Sequence, residues 1–187
     1  LEKGFKGMQK EPQALPPGLL LGSILGMSDA LERLHGPTAA DNVLEQAIWN
    51  YPELPEIGRV FERLNAVYAA EEDSPDNELE KWKQRKPALR AGYATYYLAR
   101  MAVRSGRNDR ALKILEGFKE AHPRHPMLAR ALLLRGELLA GEKQFPEAQE
   151  TFEAAMRASS NHLERAEVEM ASATALFQAG EYVLESC

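Results

Sequence analysis

The chain has 187 residues, 44% hydrophobic and 27% charged, a composition typical of a soluble folded protein and not of a disordered one. Its formal net charge of −5 argues against non-specific nucleic-acid binding through bulk charge. The single cysteine, Cys187, excludes an internal disulfide. Cysteine usage leaves the compartment open between the cytoplasm and the bacterial periplasm.

Helices are predicted along nearly the whole chain after a short lead-in. Residues 1–17 hold three prolines and two glycines with little periodicity, which predicts an extended segment. From residue 18 onward, apolar residues follow helical spacing between short Gly, Pro and Ser clusters, and no run of alternating β-branched residues predicts a strand. We expect about nine or ten helices joined by short connections, an arrangement that favours antiparallel hairpins.

Several residues mark where individual helices begin and end. Ser74, Pro75 and the acids after them predict a helix start, because proline fits the first turn and acids interact favourably with the helix dipole. Gly141 suits the left-handed residue that ends a helix. Asn161 can cap a helix over residues 162–179.

A spacing of 37 residues recurs in the second half of the chain. Ala111 and Ala148 are separated by this interval, and so are Phe145 and Tyr182. A fixed interval of this size is typical of a solenoid of stacked helix pairs. Small and bulky residues also alternate from residue 135 to residue 156: Gly136, Ala148 and Ala155 are small, while Leu139, Phe145 and Phe152 are bulky.

This pattern resembles the tetratricopeptide repeat, a 34-residue helix–turn–helix unit with small and aromatic residues at set places. Residues 92–125 and 129–162 fit it, residues 166–187 fit as a truncated copy, and residues 21–54 carry a weaker copy. The clearest copy supplies Gly136, Phe145, Ala148, Phe152 and Ala155. The departures are the missing signature Trp, a bulky Phe118 where alanine is expected, and three extra residues between units.

The resemblance implies an all-α fold, a right-handed superhelix (solenoid) of antiparallel helix pairs. Degenerate helical-repeat pairs are expected over residues 18–91 and tetratricopeptide-like repeats over residues 92–187. In this packing Gly136 and Ala148 let the two helices of one hairpin approach, while Phe152 fills the space between that hairpin and its neighbour.

The resemblance also implies a binding surface, because the first helix of each tetratricopeptide repeat lines a concave groove. We expect partner-binding residues from three successive first helices: Tyr93, Tyr96, Arg100, Val103 and Arg104; then Arg130, Leu133, Glu137 and Ala140; then Glu167, Met170, Thr174 and Phe177. Tyrosine and arginine often anchor protein contacts, and Arg100 with Arg104, one turn apart, suits a partner carboxylate. The alternative is that Tyr96, Tyr97 and Phe177 simply pack between repeats.

No motif predicts catalysis, a metal or a cofactor. His122 and His125 lie on a proline-containing turn without the thiolate or carboxylate ligands that would complete a zinc site, which favours a solvated turn. A nucleophile elbow, a phosphate-binding glycine loop and a zinc-protease helix are all absent from the sequence. We therefore expect no catalytic residues, no metal and no cofactor.

Two other segments bear on membrane binding and nucleic-acid binding. Gly18, Gly22 and Gly26 are spaced four apart as in membrane-helix dimers, but the apolar run from Leu19 to Met27 is far shorter than the ~20 residues that a bilayer requires. Tight helix packing is favoured, with a peripheral surface helix as the alternative. The basic run KWKQRK follows a cluster of acids, which favours a solvated helix over nucleic-acid contact.

The expected function is a non-catalytic scaffold that binds a protein or peptide partner in the concave groove. The alternatives are a regulatory or substrate-recruiting module of a larger enzyme and an envelope-assembly component. The chain starts at Leu1 and stops at Cys187 within the third copy of the repeat, as expected for a piece of a longer protein. A terminal repeat left exposed in this way is expected to promote self-association or to need a capping helix that is missing here.

Overall fold

A computed structural model describes residues 16–70 and 76–185 of the chain. Within these ranges the secondary structure is helical, without a strand, as predicted. The ten helices of the described part are α1 (Pro17–His35), α2 (Pro37–Asn50), α3 (Ile57–Ala70), α4 (Asp76–Lys83), α5 (Ala88–Arg104), α6 (Asn108–Leu115), α7 (Phe118–Ala121), α8 (Leu128–Gly141), α9 (Phe145–Ala158) and α10 (His162–Glu185).

The first helix starts inside the predicted lead-in. Pro17 is the first residue of α1, where its fixed φ suits the first turn and its missing N–H costs nothing. The rest of the lead-in, residues 1–15, and the predicted helix start at Ser74 and Pro75 lie outside the described residues.

The chain divides into two compact units between Tyr97 and Leu98, within α5. The predicted boundary between degenerate and regular repeats, at residues 91 and 92, falls in the same helix. The two units are described separately below.

In the first unit, α2 packs against both α1 and α3. The α2 residues that suggested a weak repeat, Ala40, Leu44 and Ala47, are all buried. Arg63 of α3 reaches across to α1, where it forms ion pairs with Asp29, at 3.0 Å, and with Glu32. The hairpin of α1 and α2 is therefore closed by α3 through apolar packing and an ion-pair network.

Phe61 is the centre of an aromatic cluster in the first unit. Its ring stacks on Tyr93 at 5.5 Å and on Tyr97 at 6.0 Å, and it meets Trp82 edge-on at 5.7 Å between ring centroids. Phe61 and Trp82 are at most 1% exposed. Offset and edge-to-face contacts of this kind add to the free energy gained from burial.

In the second unit, α8 and α9 form a hairpin against which α10 packs, and α6 and α7 pack against α8 from another side. A continuous apolar core runs through the hairpin into α10. Its buried members are Leu132, Leu139, Ala140, Ala148, Phe152, Ala155, Val168 and Ala175. These are packed helical hairpins, consistent with the expected tetratricopeptide-like fold.

The small residue Gly136 and the bulky residue Phe152 meet directly inside this hairpin. A Cβ atom added to Gly136 would lie 2.6 Å from a ring carbon of Phe152, a separation that real Cβ contacts do not show. The same ring belongs to the core that includes Val168 of α10. The expected division of roles is therefore corrected: Phe152 fills the gap that Gly136 leaves within its own hairpin and also supports the next helix.

The 37-residue interval is visible in the backbone of two turns. Gly106 and Lys143 occupy equivalent places and both adopt left-handed conformations, with φ of 70° and 61°. The next residue in each turn donates its N–H to the carbonyl five residues earlier: Arg107 to Ala102 at 2.8 Å and Gln144 to Leu139 at 2.9 Å. Both α5 and α8 thus end in the same Schellman-type turn.

The predicted end of the last helix at residue 179 is wrong. Gly180 lies 37 residues after Lys143, yet α10 continues through it to Glu185 without a left-handed residue. In the described part of the chain no helix folds back on α10 after this point, so nothing stabilises the turn. A glycine within a helix costs only about 1 kcal/mol relative to alanine, which the hydrogen bonds of a continuing helix can offset.

Phe118, the departure from the repeat pattern, is accommodated by a break in the second helix of its pair. Gly117 adopts a left-handed conformation with φ of 72° between α6 and α7. Phe118 follows it and is 2% exposed. The glycine redirects the chain so that the ring points into the core, where a straight helix would call for alanine.

Gly136→Ala is expected to destabilise the second unit by about 1–3 kcal/mol, because the new methyl group would overlap the Phe152 ring. Gly141→Ala is the matched control, since a Cβ at Gly141 meets nothing within 4 Å. Urea denaturation followed by circular dichroism measures both. Equal midpoints for the two variants would contradict the packing.

Candidate protein-binding groove

A groove of about 620 Å³ lies between α8 and α10. Its α8 wall carries Leu133, Glu137 and Ala140, and Phe152 of α9 also lines it. Its α10 wall carries Glu167, Met170, Ala171, Thr174, Ala175 and Gln178. The spacings of three and four along each helix place these side chains on one face of that helix, so the groove is built from two helical surfaces.

Most of the residues expected from α8 and α10 line this groove together. Leu133 and Glu137 face it from α8, and Met170 and Thr174 face it from α10. Phe177 does not line it, although its side chain is 68% exposed on the same helix. The first helices of two successive predicted repeats thus converge on one concavity.

Tyr93 and Tyr96 are placed differently from the expectation. They are 7% and 6% exposed, Tyr93 stacked on Phe61 and Tyr96 edge-on to Tyr97 at 5.1 Å. Side chains covered in this way have little surface left for a partner, so the packing alternative is favoured for both. Neither tyrosine is part of the candidate groove.

Arg130, another expected partner-binding residue, does not line the groove. Its guanidinium lies 3.9 Å from Glu164 at the start of α10. The same turn is capped by Asn161, whose side-chain oxygen accepts the Glu164 N–H at 2.9 Å, as the sequence predicted. Arg130 thus connects α8 to the capped start of α10.

Two glutamates on the walls, Glu137 and Glu167, and two arginines on α5, Arg100 and Arg104, interact electrostatically at the groove. Burial against the walls raises the pKa of the Glu137 carboxyl; the Arg100 guanidinium opposes that rise and the Glu167 carboxylate adds to it. Burial also lowers the pKa of Arg104, assisted by the positive charge of Arg100. The carboxylate of Glu137 is therefore partly screened from water even though the residue as a whole is exposed. Arg100 and Glu137 are electrostatic neighbours, as a groove extending from α5 would require.

Phe152, Ala171, Ala175 and Gln178 are groove residues that the sequence reasoning did not assign to the site. The α10 members continue the helical series that starts at Glu167, so the periodicity carried a signal for them. The periodicity carried no such signal for Phe152, because this residue lies on the second helix of its repeat and was expected only to pack.

The two histidines of the turn after α7 interact locally. The His125 ring nitrogen Nδ1 accepts the Met127 N–H at 3.0 Å, and the His122 ring lies 5.0 Å from the Phe118 ring. Burial lowers the pKa of His122.

Among the described residues, no group of three or more His, Cys, Asp or Glu side chains is arranged to hold a metal ion. None of the described helices is both long and apolar enough to cross a membrane.

Arg100→Gln is expected to raise the pKa of Glu137 further, because a cation that favours the ionised carboxylate is removed. When the folded pKa of a carboxyl lies above its unfolded value, the protein loses folding stability as the pH rises through the titration of that carboxyl. The variant should therefore lose more stability than the wild type over this pH range. An NMR titration of the Glu137 side chain measures the shift, with Arg157→Gln on α9 as the control. An unchanged midpoint in Arg100→Gln would contradict the assigned neighbourhood.

Comparison with known proteins bears on the region directly before the groove. Residues 93–125, which run from within α5 through α6 and α7, match the family model described as Tetratricopeptide repeat. Neither the curated proteins nor the solved structures contain a significant match to the chain. Repeats of this family are in general protein–protein interaction modules and are typically non-catalytic. Residues 93–125 are therefore similar to a tetratricopeptide repeat, within an all-α fold of packed helical hairpins.

Proposed function

We propose that the chain is a non-catalytic interaction scaffold that holds a peptide segment of a protein partner in the groove between α8 and α10. The observation that carries the proposal is the convergence of Leu133, Glu137, Met170 and Thr174 on one concavity. The resemblance to tetratricopeptide repeats predicts that these four residues contact a ligand. The groove directly follows the segment that matches the family.

The lining indicates the chemistry of the peptide. Leu133, Met170 and Ala171 provide apolar surface, on which a partner's aliphatic or aromatic side chain gains free energy by leaving water. Glu137 and Glu167 repel each other across this surface. A lysine or arginine next to the apolar anchor would relieve that repulsion.

The charges on α5 suggest how the peptide is oriented. Arg100 and Arg104 are exposed one turn apart, and Arg100 is the electrostatic neighbour of Glu137. A basic residue at the two glutamates and a carboxylate at the two arginines would fix the direction of a bound segment, because reversing it would set like charges against each other.

A peptide-display selection on the whole chain tests the proposal. We expect the selected peptides to combine an apolar anchor with Lys or Arg, and Glu137→Gln to weaken their binding by about tenfold, measured by fluorescence anisotropy. Glu147→Gln is the matched control, since Glu147 is exposed on α9 away from the groove. Leu133→Glu should abolish binding. Peptides that bind wild type and Leu133→Glu equally would overturn the assignment of the groove.

A further inference from the structure

Helix α10 presents a line of large apolar side chains to solvent. Leu163, Met170 and Phe177 are 71%, 69% and 68% exposed, and each lies seven residues after the one before. A spacing of seven keeps them on one side of the helix. The buried residues of α10, such as Val168 and Ala175, lie on the opposite side. A row of three differs from the scattered apolar residues that any surface shows.

Small residues alternate with the large ones along the same face. Ala166, Ala173 and Gly180 each follow a large residue by three positions, and all three are exposed. A Cβ atom at Gly180 would meet nothing within 4 Å. The steps of three and four are those of a coiled-coil seam, here with large residues at one core position and small residues at the other. We call these six residues the α10 seam.

We propose that two copies of the chain associate through antiparallel packing of their α10 seams. Setting Met170 opposite the partner subunit's Ala173 fixes the register along the whole seam. Phe177 then meets the partner subunit's Ala166, and Leu163 meets the partner subunit's Gly180. Each layer thus joins one large and one small side chain, and the two-fold axis makes every contact occur twice.

A parallel pair would lack this fit. Large residues would face large residues in one set of layers and small residues would face small ones in the next, so crowded and empty layers would alternate. The antiparallel arrangement gives every layer a similar volume. Because the pattern is complementary to itself, a second copy of this chain is the occupant that it suits.

The charges beside the seam favour the same orientation. The first half of α10 carries Glu167 and Glu169 beside the seam, whereas the corresponding side chains in the second half, Thr174 and Leu176, are uncharged. In the antiparallel register, Glu167 and Glu169 lie near the partner subunit's Leu176 and Thr174, which carry no charge. Parallel pairing would place acids near acids, which is unfavourable.

The α10 seam shares Met170 with the groove, so its test reads mass alone, on the chain without a peptide. Analytical ultracentrifugation of the whole chain should give a mass that rises with concentration, in the micromolar range, from 20.9 kDa towards twice that value. Phe177→Glu should hold the mass at 20.9 kDa. Leu34→Glu is the matched control, because Leu34 is 67% exposed on α1, outside the seam.

A swap within one layer tests the register. Ala173→Met sets methionine against methionine and Met170→Ala sets alanine against alanine, so each single change should weaken association by about tenfold. The double variant Met170→Ala with Ala173→Met restores a large–small pair and should recover affinity to within about threefold. All these positions are exposed, and circular dichroism verifies that each variant folds.

Three outcomes would overturn the proposal. A wild-type chain that keeps a mass of 20.9 kDa at every concentration would show that the seam does not pair with itself. Equal loss of association in Leu34→Glu and Phe177→Glu would indicate non-specific aggregation. A double variant no better than the single ones would exclude the stated register. Leu133→Glu lies outside the seam and tests peptide binding separately.

Discussion

The contact between Gly136 and the Phe152 ring is the constraint on which the second unit depends. It lets α8 and α9 lie close enough for the ring to occupy space that any other residue at position 136 would fill. The ring is then held within the core that receives Val168 and Ala175 of α10. Because the same ring lines the groove, the site inherits its shape from this packing. A change at Gly136 is therefore a change to the groove wall as well as to the hairpin.

Pairing of small with large residues recurs elsewhere in the molecule. In the first unit a Cβ atom at Gly58 would lie 2.4 Å from the hydroxyl oxygen of Tyr93, so a glycine again makes room for an aromatic ring. Helical hairpins without long loops have few other means of bringing their axes together, since only side-chain size sets their separation. The exposed α10 seam repeats the principle on a surface and gives it a role in recognition.

Local turn chemistry explains which parts of the fold could be predicted from the sequence. The left-handed residue after α8 was predicted wrongly: Gly141 is the last residue of the helix, and Lys143 is the left-handed residue of the turn. The cap of α10 at Asn161 was predictable, because capping depends on a few neighbouring residues. The course of α10 through Gly180 was not, because ending a helix there requires a returning helix to stabilise the turn. The break at Gly117 was missed for a related reason: it serves the burial of Phe118, which is a tertiary requirement.

The candidate site could be predicted where helix position alone decides which way a side chain faces. The α8 and α10 residues needed only the register of the repeat, and six of the eight expected ones line one groove. Tyr93 and Tyr96 needed more, because a side chain on the correct face is still lost to a partner if another element covers it. For Tyr93 that element includes Phe61, which lies in a segment where the repeat pattern was too weak to set a register.

The central claim is that residues 136 and 152 share one space, so that the size of one side chain limits the size of the other. A double-mutant cycle of Gly136→Ala and Phe152→Leu, followed by urea denaturation, tests it most directly. The account predicts a coupling free energy of about 1 kcal/mol or more, with the double variant less destabilised than the sum of the single ones, since the smaller side chain makes room for the new methyl group. Effects that add to within about 0.3 kcal/mol would show that the two residues do not share a space, and would contradict the account.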